Sequence, residues 1–600
     1  MSILSLYKAT LCGLSADKDR LLRDLQSLGC LHLIALQPPA KTPEAAPPQH
    51  AEDAYKALRY LDDVRRPRRQ VTAEADFDFE QVVNKALSNM QRLRRTEEQR
   101  DFLLKRIQEL APWGSFVFPP ADAMAGQHLW FYQIPGQQMA DIGELGYPWQ
   151  LVHKDTRYAY IAIIAEEEPP AEVMPVPRTH TGAVSLDALR RELYDVEVTL
   201  EEIAAEHESL SRWTYLLRRN LARAEDQAAL KHAHTQIVDD DGVCLLQGWL
   251  PQRDLGKLEQ FADERGLVLT AEEPAPDDTP PTLMDNPAAV SGGQDLVSFY
   301  QTPAYTSWDP SGIVFFSFAL FFAMILADAG YTLVLGGLLA YFWKRMGSSE
   351  TGIRLRRLSV TVLGTSLVYG VLVGGYFGVA PPADSWLAGL QLLDLNDFDS
   401  MMRLSIIIGC LHLTTANAMI AYRAGGFPAN AQPLGWISAI VGGLLLWLGN
   451  GDGVSIAFSL GVVMLITGLG LVFGFASQRA MDSPKTVLLR GLDGLRALTR
   501  VTTLFGDVLS YLRLFALGLA SSSLAMTFNQ LATQVQEAMP GPGLLLAIIV
   551  LLVGHVINLA LGIVSGFVHG LRLNFIEFFN WGISEEGHPF RAFAKKEIKP

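Results

Sequence analysis

The sequence predicts an α-helical membrane domain of about eight transmembrane helices, the last two long and tilted, preceded by cytoplasmic α/β lobes joined by a long helical hairpin. Three observations carry that expectation. The 600-residue chain changes character midway: up to about Pro310 it is rich in Glu, Asp, Arg and Lys, and from Gly312 onward Leu, Gly, Val, Ile, Ala and Phe dominate. Many apolar runs of the second half approach the roughly 20 residues needed to cross a bilayer. The first half carries two long charged stretches with apolar residues at helical spacing.

Taken in order, ILSLYKATLCGL reads as a strand and SADKDRLLRDLQSLGC as a helix. Ser15 is placed to cap that helix, Leu21, Leu22, Leu25 and Leu28 keep its spacing, and Gly29 stops it. LHLIAL is a second strand and PPAKTPEAAPPQ a linker. Residues from about 79 to 111 and from about 185 to 236 form long amphipathic helices, the second with Leu186, Leu189, Leu193, Val196 and Leu200 on one stripe. HLWFYQI and RYAYIAIIA between them are strand-like. VCLLQGWL, a helix DLGKLEQFADERG and LVLTAE close a second small α/β unit. The pattern suggests a hairpin coiled coil with a lobe at one or each end, suited to docking rather than catalysis. Residues 1–272 form this arm, 273–310 a Pro-rich connector and 311–600 the membrane domain.

Several functions are disfavoured. A net charge of −14 speaks against a general nucleic-acid binder. No GxxxxGK[ST] phosphate loop, HExxH, GxSxG or dinucleotide fingerprint occurs, so neither an ATP site nor a cofactor is expected. Cys12, Cys30, Cys244 and Cys410 lack metal-ligand spacing and read as free thiols in a reducing compartment. The N-terminus does not resemble a signal peptide, so the arm is expected to stay where it is made.

Apolar runs occupy about 312–343, 358–380, 404–422, 434–449, 454–477, 501–531 and 543–583. Basic loops face the cytoplasm. By that rule 344–357, the loop at Arg423, 478–500 and the tail RAFAKKEIKP are internal, and 380–400, 449–453 and 535–543 external. A cytoplasmic arm then requires an even number of passes between Ser311 and Lys344. The run 312–343 is therefore read as two short segments broken near Asp328-Ala329-Gly330; a single span, which would leave one loop on the wrong side, is the competing reading.

Arg513 and Arg572 stand inside the last two apolar runs. A guanidinium remains charged at any physiological pH, and one at mid-membrane costs roughly 3 kcal/mol on insertion scales. On the last segment His555, Asn558, Gly562, Ser565, His569 and Arg572 follow at steps of 3 or 4, so they share a helix face. Glu577 lies five residues past Arg572, with Asn574 between. On the preceding segment Thr503, Gly506, Ser510 and Arg513 share a face, and Asp507, Tyr511, Ser521, Asn529 and Gln530 add polarity. Asp328, His412 and Asn417 read as polar groups satisfied within the fold. A fixed cation in lipid attracts a carboxylate on a moving partner and favours its ionised form. If two half-depth aqueous paths end on opposite sides of the arginine, ions cross only by riding that partner.

LSYLRLFALGLA (509–520) and HGLRLNFIEFF (569–579) closely resemble the two arginine motifs of membrane subunit a (subunit I) of V-type and archaeal-type rotary ATPases. GWLPQRDLGKLEQFA, PPTLMDNP and TPAYTSWDPSGIVFFSFALFFAMILADAGYTLVL extend the resemblance over most of the chain from about 245 onward. It implies a stator subunit in the cell membrane, with both termini cytoplasmic. Arg513 would face the carboxylate of a rotor ring of small membrane subunits, with Arg572 as its partner. The arm would rest on peripheral-stalk heterodimers and meet the central stalk. The ion, H⁺ or Na⁺, would be bound on the ring, and ATP chemistry would occur on other subunits. The chain departs from the family at Gly562, where members often carry a polar or acidic residue, and at Ser521, where some carry histidine. His555, Asn558, Ser565 and His569 are the substitutes for the half-channel lining. The competing reading is a self-contained secondary transporter with a regulatory domain.

Overall fold

The computed structural model describes residues 2–36, 49–116, 124–139, 146–170, 173–180, 184–449, 456–477, 479, 482–539, 541–583 and 585–596. The external loop read at 449–453 lies almost wholly outside them. The chain divides into two compact units. One comprises Met1–Cys12, Cys30–His32 and Gln247–Ala592; the other comprises Gly13–Gly29, Leu33–Leu246 and Phe593–Pro600.

The soluble strands are β1 (Leu6–Leu14), β2 (His32–Ile34), β3 (His128–Pro135), β4 (Trp149–Lys154), β5 (Tyr158–Ala165), β6 (Val238–Asp240), β7 (Val243–Pro251) and β8 (Val268–Glu272). One sheet runs β2-β7-β1-β8, and β1 meets β8 antiparallel from Lys8–Glu272 to Cys12–Val268. The strands assigned from sequence to a second α/β unit, VCLLQGWL and LVLTAE, thus complete the sheet that begins at Leu6. Each short motif alone would leave open strand edges, and joining them pairs those edges. The other sheet, β3-β5-β4, is antiparallel throughout.

Helix α1 (Lys18–Leu28) ends where Gly29 takes φ 67°, a left-handed stop that glycine adopts without strain. Ser15 does not cap it. A 3₁₀ turn at Ser15–Asp17 leads into the helix instead, and the Ser15 hydroxyl donates to Asp239. Beyond α2 (Gln49–Asp62), the hairpin is α3 (Phe79–Leu110) against α4 (Leu186–Leu210). Leu103 and Leu110 pack with Leu186, Leu189 and Val196. Buried Asn89 fixes the register: it donates to Ile203 O (3.2 Å) and Glu206 (2.8 Å) and accepts from Tyr60 OH (2.6 Å). The second long helix is not continuous. A 3₁₀ turn at Ser211–Trp213 separates α4 from α5 (Thr214–Gln236). A shorter α6 (Leu255–Arg265) precedes β8.

The membrane half holds α7 (Ser291–Tyr300), α8 (Ser311–Leu326), α9 (Ala329–Met346), α10 (Glu350–Val373), α11 (Phe398–Arg423), α12 (Ala431–Gly449), α13 (Ile456–Phe475), α14 (Pro484–Ser510), α15 (Leu512–Ala538), α16 (Gly543–Arg572), a π-helical turn Leu573–Phe578 and α17 (Phe579–Gly582). Six segments among the described residues are long and apolar enough to cross a membrane: α10, α11, α12, α13, the rod α14–α15 and Gly543–Gly582. The apolar α8 is shorter, at 16 residues. The run 312–343 is two helices, parted at Ala327, whose φ is 47°. Asp328 holds the break: its carboxylate accepts from the backbone N–H of Tyr331 (2.9 Å) and of Gly378 (3.0 Å).

Two assignments made from sequence change. The connector contains α7, which packs on α8 and α10; a Cβ at Gly293 would lie 2.1 Å from Ser311 O. The basic stretch 478–500 is helix from Pro484, started by a capping box between Ser483 and Thr486. Rod α14–α15 is 55 residues long, or about 80 Å at 1.5 Å per residue, far beyond a hydrocarbon core of about 30 Å. Its basic first turns account for the loop-like composition. Helices α12 and α13 approach closely at glycines, as lipid-embedded pairs do: a Cβ at Gly442 would lie 2.6 Å from Leu465 N.

The cysteines are free, and all but half-buried Cys12 are buried. Burial pushes the Cys30 thiol up to about 11, which keeps it protonated and unreactive. Asp328→Ala should destabilise the protein by about 1–2 kcal/mol through loss of a helix cap, read as a lower thermal midpoint in detergent.

Candidate functional site

Arg513 owes its position to a tightened turn. Between α14 and α15 the chain passes through Tyr511, which is fully buried, and Tyr511 N bonds to Val508 O. The Tyr511 ring covers Gly409, where a Cβ would meet it at 2.7 Å. Its hydroxyl shares a 2.8 Å hydrogen bond with His412 Nδ1, and His412 stacks on Phe578 with ring centroids 4.2 Å apart. Phe321 meets both Tyr511 and His412 edge-on. This aromatic packing holds the backbone next to Arg513 rigidly. His412 is internal, as read from sequence, but only half satisfied: Nδ1 is paired with Tyr511, whereas Nε2 is buried with no hydrogen-bond partner among the described residues.

Glu577 supplies the opposing charge. Its side chain is 2% exposed, and Oε1 lies 3.8 Å from Arg513 Nη1 and 4.0 Å from Arg572 Nε. In an α-helix a residue five positions on sits about 140° round the axis. The π turn at Leu573–Phe578 has i→i+5 closure and brings Glu577 back toward the arginine face. Both pairs are ion-pair contacts longer than a hydrogen bond. Glu577 Oε2, Arg513 Nη1 and His569 Nδ1 are buried and lack hydrogen-bond partners among the described residues. The Arg513 side chain is 22% exposed and that of Arg572 50%. Arg513 therefore stands at the edge of an uncovered helix face, on which Thr503 and Gly506 are exposed and Ser510 is half-buried.

The other residues named from sequence divide. Asn574 is fully buried; it donates to Gly570 O (2.9 Å) and accepts from Ser317 (2.5 Å), tying the π turn to α8. Asp507 pairs with neither arginine of the cluster. It accepts from Trp581 Nε1 (2.7 Å), and Arg500 lies over the Trp581 ring at 4.6 Å. Ser565 is half-buried on the face that carries His569.

His555, Asn558 and Ser521 belong to a second polar cluster. Asn558 donates to Tyr331 OH (3.0 Å) and to Ser521 O (2.9 Å), and Ser521 Oγ donates to Asn558 Oδ1 (3.3 Å). Tyr331 OH meets His555 Nδ1 (2.7 Å), and His555 Nε2 meets Asn529 Oδ1 (3.0 Å). Asn529 Nδ2 donates to Phe377 O (2.8 Å). With the hydroxyl accepting from Asn558, it donates to His555 Nδ1. The ring then carries its proton on Nε2, and donors run in one direction along the chain. Tyr331 was not singled out from sequence, although it follows Asp328 by three residues at the helix break.

Between the clusters the shared face carries glycine and one polar side chain, the half-buried Ser565. Leu326 packs at Gly562 and Phe322 at Gly566. From Asn558 to His569 the rise is about 16 Å. The last helix therefore presents two polar zones separated by a stretch where apolar side chains of α8 pack on its glycines.

No family model matches the chain. It resembles curated proteins, however. V-type ATP synthase subunit I of Chlamydia pneumoniae is 27% identical over 451 residues, covering 63% of this chain and 65% of that protein. A-type ATP synthase subunit I of Methanocaldococcus jannaschii is 27% identical over 459 residues, covering 69% and 64%. The matches thus span just under two thirds of these relatives' length. V-type ATP synthase subunit I 1 of Treponema pallidum is 26% identical over 99% of this chain and 100% of its own. A crystal structure of the cytoplasmic N-terminal domain of subunit I, homolog of subunit a, of V-ATPase aligns at 17% identity over 44% of this chain and 99% of that one, with a TM-score of 0.21.

Tyr331→Phe should leave Asn558 and His555 each short of a partner. A loss of about 1–3 kcal/mol is expected, measured by thermal unfolding against the parent protein.

Proposed function

We propose that this relative of subunit I of V-type and A-type ATP synthases is the stator membrane subunit of a rotary ATPase. In this reading it forms two ion half-channels against a rotor ring and couples ion flow to the ring's rotation. The observation that carries it is the arrangement around Arg513: a guanidinium at an uncovered helix face, with two polar clusters and, between them, apolar side chains seated on Gly562 and Gly566.

Arg513 is the fixed cation. A carboxylate carried past it on the ring is ionised while it faces the guanidinium. Before and after, it crosses lipid in protonated or ion-loaded form, because an ionised carboxylate in hydrocarbon is too costly. The cluster of His555, Asn558, Tyr331 and Ser521 forms one polar path, and the cluster of Ser510, His569, Arg572, Asn574 and Glu577 forms the other. Leu326 and Phe322, seated on Gly562 and Gly566, block a direct leak. An ion that enters by one path leaves by the other only after the ring carries it round.

The soluble half serves as the stator's anchor. Its hairpin presents charged faces that suit docking on peripheral-stalk helices, and its lobes face the central stalk on the cytoplasmic side. ATP is made or hydrolysed on other subunits, and the ion, H⁺ or Na⁺, is selected on the ring.

Arg513→Gln should abolish coupled ion transport in vesicles containing the whole complex while leaving its assembly intact, a loss of at least 100-fold. Arg572→Ala should reduce transport without abolishing it. Full transport with Arg513→Gln would sink the proposal, as would ion pumping by the reconstituted chain alone.

A further inference from the structure

The charge count at the arginine site does not match a simple fixed cation. Two guanidiniums converge on one carboxylate, so the cluster carries a net single positive charge rather than two. Glu577 is nearly inaccessible, yet neither arginine reaches it at hydrogen-bond distance: the separations are 3.8 and 4.0 Å. Its Oε2 has no partner among the described residues, and Arg513 Nη1 has none either. A carboxylate whose role was to tie the helix ends together would form the short, bidentate bonds that arginine favours. This one offsets charge and leaves Arg513 Nη1 without a hydrogen-bond acceptor among the described residues.

We propose that Glu577 is a positioning residue that limits how tightly Arg513 holds the ring carboxylate, by sharing Arg513 and Arg572 between an internal counter-charge and the incoming one. This rests on the function proposed above. Two bare arginines would hold a passing carboxylate in its ionised form and resist its release into the second path. One net charge captures it and still lets it go.

The charged and titratable groups facing Glu577 come from several elements. They are Arg572 from α16, Arg513 from α15, and Ser510 and Tyr511 at the α14–α15 turn; His569 lies near the two arginines, Asp507 near Tyr511, and His412 is bonded to Tyr511. Asp507 is engaged by Trp581 and Tyr511 by His412, so the arginine pair dominates.

The test uses the assembled complex in vesicles, with ion transport followed across pH. Glu577→Gln keeps the shape and removes the charge. A neighbouring charge moves a carboxylate by about one unit or more. The transport profile should therefore shift about one unit toward acid, with about ten-fold slower transport at neutral pH. Glu577→Asp should keep the parent profile. Glu577→Gln combined with Arg572→Gln restores the net single charge and should return the profile toward the parent, which a merely structural role for Glu577 would not do. Assembly lost in the single variant and regained in the double variant also supports the charge role. An unshifted profile with Glu577→Gln, or a double variant no better than the single one, overturns the inference. Arg513→Gln in parallel separates the two ideas: transport there would defeat the stator reading itself, whereas a dead Arg513→Gln with an unmoved Glu577→Gln defeats only this inference.

Discussion

A permanently charged guanidinium in an apolar segment long enough to cross a membrane must be held in place by everything packed against it, since insertion scales set its cost at mid-membrane at about 3 kcal/mol. The structure meets that demand with packing rather than solvent. Tyr511 fills the notch left by Gly409, His412 bridges its hydroxyl to the face of Phe578, and Phe321 closes the edge. The π turn beyond α16 then places Glu577 beneath the two arginines. A cavity at Gly409 or an ordinary α-helical continuation past Arg572 would leave the charge unanswered.

The same economy separates the polar zones. Glycines along α16 admit phenylalanine and leucine from α8 between His569 and Asn558. The broken pair α8–α9 has two roles. Its first half packs on the middle of α16. The break, held by Asp328, starts the helix from which Tyr331 reaches Asn558 and His555. A straight helix over 311–346 would turn Tyr331 to a different side.

Much of this was legible beforehand. The broken run at Asp328, the long hairpin helices and the polar stripe of the last segment all follow from periodicity and loop charge. The reading failed where composition and conformation diverge. Basic residues 484–500 resemble a loop because their charges lie at the polar end of a rod that outruns the hydrocarbon core. The strands near 243–272 resemble a separate unit because sequence does not reveal which open edges pair. Asp507 adds polarity to its segment by sequence, but its side-chain partner is the indole of Trp581, 74 positions away.

The class of the molecule and its costly residues are legible along the chain: apolar length, helical spacing and an unavoidable positive charge are properties read one segment at a time. The partners of those residues were decided by tertiary structure. Glu577 sits five positions from Arg572, where α-helical geometry would turn it away, and only the π turn brings it back. Tyr331 and His555 are 224 positions apart, and only the packing of α9 against α16 makes them one hydrogen-bonded path. Local physics fixes where a charge or hydroxyl occurs along the chain; its partner is fixed by contacts between segments that no local pattern encodes.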